Sequence, residues 1–176
     1  MEFFDANCGI MGAQPGSLST VSSDDLLAEM NHLGVRRALV RDEPTDLAFD
    51  VPALTDMLFA AAGRHPEIVP CPAVLPAATG DVPAEEEQVD ALLAAGAGAV
   101  HLRPRKDNWS LRHWGCRKLL HALEERCVPA IFTSVECTLE EVADIADHHP
   151  GLPLLVTGTG YRQHRVILPL LETWQQ

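Results

Sequence analysis

Apolar stretches rich in β-branched residues alternate along this chain with stretches whose apolar residues recur at helical spacing. In the first helical stretch, Leu26, Met30 and Leu33 belong to one apolar stripe. The alternation is repeated about six times and contains no two-residue hairpin signal. Strands separated by helices in this way indicate parallel pairing with right-handed crossovers.

Capping residues set two of the predicted boundaries. Either Ser22 or Ser23 can cap the first helix, and Gly34 ends it. Thr138 with Glu141 forms a capping box at the start of the fifth helix. The predicted strands are residues 3–8, 37–41, 68–75, 99–103, 129–135 and 154–157. The predicted helices are residues 22–33, 52–64, 85–95, 110–126, 138–148 and 161–174.

The number of strand–helix units limits the fold. A closed parallel barrel has eight units in about 250 residues, whereas this sequence of 176 residues contains about six. We therefore expect an α/β fold, a parallel (β/α) barrel of the TIM type that is incomplete and lacks the last two units. No linker is evident, so residues 1–176 are expected to form a single domain. Because an open barrel leaves unpaired strand edges, we also expect a homo-oligomer.

Charge and composition narrow the function classes. Acidic residues outnumber basic ones by 25 to 13, giving a net charge of −12 that would repel nucleic acid and anionic membranes. No apolar run approaches the ~20 residues of a membrane helix, and the N-terminus lacks the pattern of a signal peptide. The five cysteines have no CxxC spacing, which indicates reduced thiols. We expect a cytoplasmic protein without nucleic-acid or membrane partners.

The most polar strand exit reads HLRPRKDNWSL, residues 101–111. In parallel β/α folds, the loops that leave the carboxyl ends of strands form the functional site. Alternation along the strand places His101 and Arg103 on the side opposite Val100 and Leu102. If Val100 and Leu102 pack on helices, His101 and Arg103 point into the mouth of the barrel.

Further hydrogen-bond donors follow in the same segment. Arg105, Lys106 and Asn108 come directly after the strand, in a chain that is acidic elsewhere. This concentration of positive charge predicts a site for a carboxylate or a phosphate. The alternative is an ordinary solvated loop in which Arg105 and Lys106 are surface charges.

Other candidate groups are weaker. Asp5 and Glu136 are carboxylates at or near strand ends and could serve in acid–base catalysis or in structural ion pairs. Cys8 could be a reactive thiol or a small buried apolar residue. Residues 157–161 read TGTGY and lack both the third glycine of a dinucleotide fingerprint and a Walker lysine, which favours a tight turn. The eight histidines show no metal-binding spacing, so we expect no metal and no cofactor.

Four strings, in this order and spacing, resemble the amidohydrolase superfamily, specifically the amidohydrolase-related (amidohydrolase 2) barrels. They are FDANCGI, DLLAEMNHLGVRRALV, RHPEIVPCPAVLP and HHPGLPLLVTGTG, and the resemblance extends over essentially the whole sequence. Metal-containing members carry His-x-His on the first strand, where this chain has Asn7 and Gly9. The histidine of the fifth strand end aligns near Thr133, and the next falls within residues 157–160, which contain none. The catalytic aspartate of the family belongs to an eighth strand, which is not among the six predicted units. Because these metal-site residues are missing, the resemblance implies a metal-independent protein.

The resemblance therefore implies hydrolase ancestry. If the protein is active, we expect metal-independent hydrolysis of a small carboxylated ester, lactone or amide, in which His101 and Arg103 orient the anion and polarise its carbonyl. The candidate catalytic residues are His101, Arg103 and Glu136. The candidate substrate-binding residues are Asn7, His101, Arg103, Arg105 and Asn108. The alternatives are a non-catalytic module for anion binding or assembly, and an open sheet that binds a nucleotide.

Overall fold

The computed structural model describes residues 2–11, 22–43 and 50–173, and within them six strands alternate with six helices. The strands are β1 (Phe3–Met11), β2 (Val35–Glu43), β3 (Ile68–Cys71), β4 (Val100–His101), β5 (Ala130–Thr133) and β6 (Leu154–Thr157). The helices are α1 (Ser23–Leu33), α2 (Val51–Arg64), α3 (Glu85–Ala94), α4 (His113–Glu125), α5 (Leu139–His148) and α6 (His164–Thr173). The predicted alternation of strands and helices is confirmed.

The chain forms two compact units. The first consists of Met1–Val74 with Gln88–His101, and the second of Leu75–Glu87 with Leu102–Gln176. The single domain expected from the sequence stays a prediction.

The first unit is a parallel sheet with helices packed on it. In this unit β1 pairs with β2 and β2 pairs with β3, both in parallel. A parallel bridge between Ala73 and His101 adds β4, and the N–H of His101 donates to the carbonyl of Pro72 at 2.8 Å. The core of this unit joins Val40 of β2 to Leu58 of α2, and both are fully buried. Burial of each such side chain contributes about 1.5–3 kcal/mol.

The second unit contains a parallel pair of strands and the most amphipathic helices. β5 pairs with β6 from Ala130–Leu154 to Thr133–Thr157. On α4, the buried positions lie along one face of the helix. They include Cys116, Leu119, Leu120 and Leu123. Phe132 of β5 is fully buried in this unit.

The predicted helix caps are confirmed. Ser22, rather than Ser23, caps α1, because its side chain accepts the N–H of Asp25 while the Asp25 carboxylate accepts the N–H of Ser22. Thr138 and Glu141 form the same reciprocal arrangement at the start of α5. These local signals were readable because each involves residues only three positions apart.

Several strand boundaries differ from the prediction, and proline explains one of them. The third strand was predicted to reach residue 75 and the fourth residue 103, but they end at Cys71 and His101. Pro72 has no N–H to donate, so it cannot continue the β3 ladder on that side. β1 and β2 are longer than predicted, and α4 begins at His113 rather than residue 110.

The last helix is the least buried. None of the ten residues of α6, all of which the structure describes, is buried, and Pro169 lies inside it. Val166, Leu168 and Leu171 are exposed on this helix. The predicted start at residue 161 corresponds to a 3-10 turn that precedes α6, and the predicted end at Trp174 lies outside the described residues.

The expected homo-oligomer stays a prediction. Among the described helices, none is both long and apolar enough to span a bilayer.

Gly98 provides a test of the packing in the first unit. A Cβ built on Gly98 would lie 2.3 Å from Cγ1 of Val69, and the Gly98 N–H donates to the Pro70 carbonyl at 2.9 Å. Because the Val69 side chain is short and stiff, we expect Gly98→Ala to lower the free energy of unfolding by about 1–3 kcal/mol. Chemical denaturation measures this loss.

The cause of that loss can be separated from a general effect of alanine. Adding Val69→Ala to Gly98→Ala should recover most of the stability, since the clashing methyl group is gone. Gly63→Ala is the matched control: its Cβ would meet open space among the described residues, and alanine favours a helix by about 0.5–1 kcal/mol. Equal destabilisation by both glycine substitutions would contradict this account.

Candidate functional site

The polar segment after β4 forms a set of tight turns. Residues 103–109, which we call the arginine loop, are closed by two backbone hydrogen bonds. The N–H of Asp107 donates to the carbonyl of Arg103 at 2.9 Å, and that of Trp109 donates to the carbonyl of Pro104 at 2.8 Å. Asn108 has a φ of +55°, a left-handed conformation that asparagine tolerates better than most residues.

Arg103 is buried and paired with an acidic residue of its own loop. Its side chain is 2% exposed. Its Nε donates to Asp107 Oδ2 at 2.9 Å, and its Nη2 donates to Asp107 Oδ1 at 3.3 Å. A buried charge is strongly unfavourable without such a partner. Arg103 therefore anchors the loop, and its guanidinium is not presented to solvent.

Glu136 holds the same loop from the segment that follows β5. The residue is 8% exposed. Its Oε2 accepts the backbone N–H groups of Arg105 at 2.9 Å and of Lys106 at 3.1 Å. In return, Nη1 of Arg105 donates to the carbonyl of Val135 at 2.9 Å. The loop after β4 and the loop after β5 are thus joined by the Glu136 carboxylate and the Arg105 guanidinium.

The arginine loop presents two of the predicted binding residues to solvent. Arg105 and Asn108 are exposed, and Lys106 is half-buried. In a chain of net charge −12, Arg105 and Lys106 form a local positive region. The structure therefore brings together Arg103, Arg105, Asn108 and Glu136, although Arg103 and Glu136 face inward.

Asn7 and His101 belong to the first compact unit. His101 is 3% exposed, and its carbonyl accepts the N–H of Val74 at 3.4 Å. Asn7 is exposed, and its N–H donates to Asp5 Oδ1 at 2.8 Å. The predicted roles of Asn7 and His101 in substrate binding stay predictions.

Asp107, which neutralises Arg103, was not among the residues predicted for the site. Its spacing from Arg103 was a usable signal, because oppositely charged residues four positions apart pair readily in a helical turn. No such signal indicated that Glu136 accepts two backbone N–H groups. Its partners are backbone N–H groups about thirty residues away in sequence, and backbone groups are the same at every position.

The glycine-rich segment after β6 is a tight turn, as predicted. Gly158 has a φ of +71°, and its carbonyl accepts the hydroxyl of Ser134 at 2.7 Å. The N–H of Gly160 donates to the side-chain oxygen of Gln163 at 2.9 Å. The Gly160 N–H that a phosphate would need is therefore already bonded within the turn.

Three of the cysteines are held as neutral thiols. Burial, together with a hydrogen bond to Asp5, raises the pKa of Cys8 to about 12. Burial also raises the pKa of Cys116 to about 12 and that of Cys137 to about 11. Because the thiolate is the nucleophile, none of these three is activated near neutral pH.

The described residues at the expected metal positions are poor metal ligands. Among the described residues, no group of three or more His, Cys, Asp or Glu side chains could hold a metal ion. At the places where the resemblance expects two histidines, Gly9 has no side chain and Asn7 offers only an amide. The hydroxyl of Thr157 donates to the carbonyl of Phe132 at 3.4 Å.

A cavity of about 560 Å³ lies in the second unit among α5, β6 and α6. Its walls are mainly aliphatic, with Val142 of α5, Val156 of β6 and Leu170 of α6 among them. Such a lining can hold an apolar group but supplies little chemistry. The arginine loop therefore remains the better candidate site.

Solved structures show what this fold resembles. No family model matches the sequence, and no curated protein matches it. An uncharacterized TIM-barrel protein from Bordetella bronchiseptica superposes with a TM-score of 0.69 at 12% identity, over 98% of this chain and 72% of that protein. An amidohydrolase II protein gives a TM-score of 0.66 at 10% identity, over 99% of this chain and 74% of the other. A probable 2-pyrone-4,6-dicarboxylic acid hydrolase from Acinetobacter baumannii, with citric acid bound, gives 0.63 at 11%, over 89% and 58%.

These comparisons confirm the predicted fold class. At 10–12% identity the likeness shows the fold alone, which is that of TIM-barrel proteins. Amidohydrolase-type barrels are among the similar structures, in agreement with the resemblance read from the sequence. The chain spans 58–74% of the length of these three proteins. Its described residues contain six strand–helix units, whereas a closed barrel has eight.

Glu136 is expected to stabilise the arginine loop. Glu136→Ala would leave two backbone N–H groups without their acceptor, so the free energy of unfolding should fall by about 2–4 kcal/mol. Glu136→Gln keeps a carbonyl oxygen that can accept both bonds without the charge, so its effect should be about 1 kcal/mol. Denaturation gives the stabilities, and hydrogen exchange at residues 105 and 106 reports the loop directly.

Glu140→Ala serves as the matched control for Glu136, because Glu140 is an exposed carboxylate four residues further along the chain. Its stability should change by less than about 0.5 kcal/mol. Unchanged exchange at residues 105 and 106 in Glu136→Ala would refute the proposed anchoring.

Cys127 is expected to be the fast-reacting thiol among the described residues. It is exposed, whereas burial holds Cys8, Cys116 and Cys137 as neutral thiols. With a disulfide reagent at pH 8, one thiol should react rapidly, and Cys127→Ser should abolish that phase. Loss of the rapid phase in Cys8→Ser instead would show that Cys8 is an activated nucleophile.

Proposed function

We propose that this protein is an amidohydrolase-like barrel protein of hydrolase ancestry that acts without a metal on a small carboxylated ester, lactone or amide. In this proposal, the arginine loop recognises the carboxylate. The observation that carries it is the anchoring of an exposed cationic loop by a buried carboxylate, Glu136, and a buried ion pair between Arg103 and Asp107.

Anchoring matters because it fixes the loop before a ligand arrives. A flexible loop loses conformational entropy when it closes on a ligand, whereas a rigid one does not. Here the backbone of residues 105 and 106 is held by Glu136 Oε2 at both N–H groups. The loop therefore offers its side chains from a defined position.

Arg105 is the main recognition group in this proposal. The guanidinium has five N–H donors in a planar fork that matches a carboxylate. One nitrogen, Nη1, is oriented by the Val135 carbonyl, and the side chain is exposed. Asn108, also exposed, adds an amide donor. A structural neighbour whose name describes a dicarboxylic acid hydrolase holds citric acid, which makes polycarboxylates the natural first ligands to try.

The contacts of the inward-facing residues favour binding without turnover as the second candidate function. Arg103 is paired with Asp107, and Glu136 accepts two N–H groups, so both are engaged in positioning the loop. In this second candidate function, both residues position the loop and take no part in acid, base or polarising chemistry. Hydrolysis would then depend on groups outside the arginine loop, with His101 as the remaining candidate from the sequence.

Citrate is the first probe of this proposal. We expect isothermal titration calorimetry to detect citrate binding, and Arg105→Ala to weaken it at least tenfold, about 1.4 kcal/mol. Arg165→Ala is the matched control, because it removes the same charge from an exposed position of α6. Equal weakening by the two variants would reduce the effect to long-range charge and contradict the proposal.

A hydrolysis screen separates the two candidate functions. Carboxylated lactones, esters and amides are incubated with the wild-type protein in the presence of a metal chelator. Turnover that persists with the chelator and is lost in Arg105→Ala supports the hydrolase. Citrate binding with no turnover of any of the three substrate classes supports the non-catalytic module.

A further inference from the structure

A second cavity in the second unit has a different chemistry from the arginine loop. Its volume is about 450 Å³, and it lies between α4 and residues 77–85, which precede and begin α3. One wall is formed by small apolar side chains, including Ala77, Ala78 and Val82. We call this cavity the tryptophan pocket after Trp114, which lines its other wall.

Trp114 is exposed in a way that core packing does not explain. Its side chain is 82% exposed, although tryptophan is usually largely buried. On α4 the core is formed by other positions, among them Cys116 and Leu119, which are buried. The indole is therefore on the solvent side of an amphipathic helix, where its flat face is open to a ligand.

Two cationic residues lie on the same face of α4 as Trp114. Arg117 and Lys118 follow it by three and four residues, which places all three side chains on one side of α4, and both cations line the tryptophan pocket. The chain has only 13 basic residues against 25 acidic ones. An exposed indole with two cations beside it offers stacking and charge to the same ligand.

The opposite wall has one acidic group, and its position orients the ligand. Glu85 lines the tryptophan pocket, and its Oε1 accepts the N–H of Ala77 at 3.1 Å, which closes this wall on itself. The negative charge of Glu85 disfavours an anion at this wall. The anionic end of a ligand is therefore favoured at Arg117 and Lys118.

Gly115 keeps the first turn of α4 in close contact with the preceding segment. A Cβ at this position would lie 2.7 Å from the backbone oxygen of Ser110. The N–H of Gly115 donates to the Arg112 carbonyl at 2.7 Å. The backbone next to Trp114 is thus closely packed, so the indole projects from a defined point of attachment.

From these contacts we infer that the tryptophan pocket binds a flat aromatic ring that carries one carboxylate. The ring stacks on Trp114 and lies against the alanine wall, while the carboxylate pairs with Arg117 and Lys118. This site is separate from the carboxylate recognition proposed for Arg105.

Three small molecules test the inference because they separate the ring from the charge. 2-Naphthoate has both, 2-naphthol has the ring without the carboxylate, and acetate has the carboxylate without the ring. In calorimetric titrations, we expect 2-naphthoate to bind at least tenfold more tightly than either of the others. Similar affinities for 2-naphthoate and 2-naphthol would overturn the role of the two cations.

Variants locate the binding in the tryptophan pocket. Trp114→Ala should weaken 2-naphthoate binding at least tenfold, whereas Trp114→Phe should retain most of it. Arg117→Ala combined with Lys118→Ala should weaken 2-naphthoate binding but not 2-naphthol binding. All three side chains are exposed, so the variants should keep the wild-type melting curve. Unchanged 2-naphthoate binding in Trp114→Ala would overturn the inference.

The two proposed sites are distinguished by crossing their variants and ligands. Trp114→Ala should leave citrate binding unchanged, and Arg105→Ala should leave 2-naphthoate binding unchanged. If each variant weakens both ligands, the two regions form one site and the inference of a separate site is wrong. If citrate fails to bind while 2-naphthoate binds and depends on Trp114, the proposal for the arginine loop fails and this inference stands.

Discussion

The two hydrogen bonds from backbone N–H groups to the Glu136 carboxylate are the constraint on which the conformation of the arginine loop depends. A single oxygen, Oε2, receives the N–H groups of Arg105 and Lys106. Because the carboxylate is shielded from water, each bond is electrostatically stronger than it would be at the surface, and its loss would be correspondingly unfavourable. A positively charged loop in a strongly acidic protein is thereby fixed by one of the protein's own negative charges. The binding chemistry assigned to Arg105 follows from that arrangement.

The same logic separates residues that hold the site from residues that meet a ligand. Arg103 and Arg105 are two positions apart and chemically identical, yet one is buried against Asp107 and the other is exposed. A count of charges along the loop cannot distinguish them. Trp114 shows the reverse case, in which a residue type that normally fills a core lies outside it beside two cations. In both regions, burial rather than residue type indicates which side chains are available.

The fold was predictable from the sequence to a much greater degree than the site. Helix spacing, the capping pairs of Ser22 and Thr138, and the alternation of strands and helices are local signals, and the structure confirms them. The end of β3 was also foreseeable, because Pro72 has no N–H. The role of Glu136 could not be foreseen, since its partners are backbone groups distant in sequence. Similarly, the exposure of Trp114 depends on which face of α4 the rest of the second unit covers.

The packing of α6 has a further consequence for the dynamics of the chain. No residue of this helix, which the structure describes in full, is buried, and Pro169 withholds one N–H from its hydrogen-bond ladder. Little apolar contact therefore opposes its release from the surface it covers, and it belongs to the weakly protected class of elements that open without global denaturation. Its backbone amides should exchange by such sub-global opening long before those of the β5–β6 pair. The region around Arg165 would then be the natural point of entry for a protease acting on the native state.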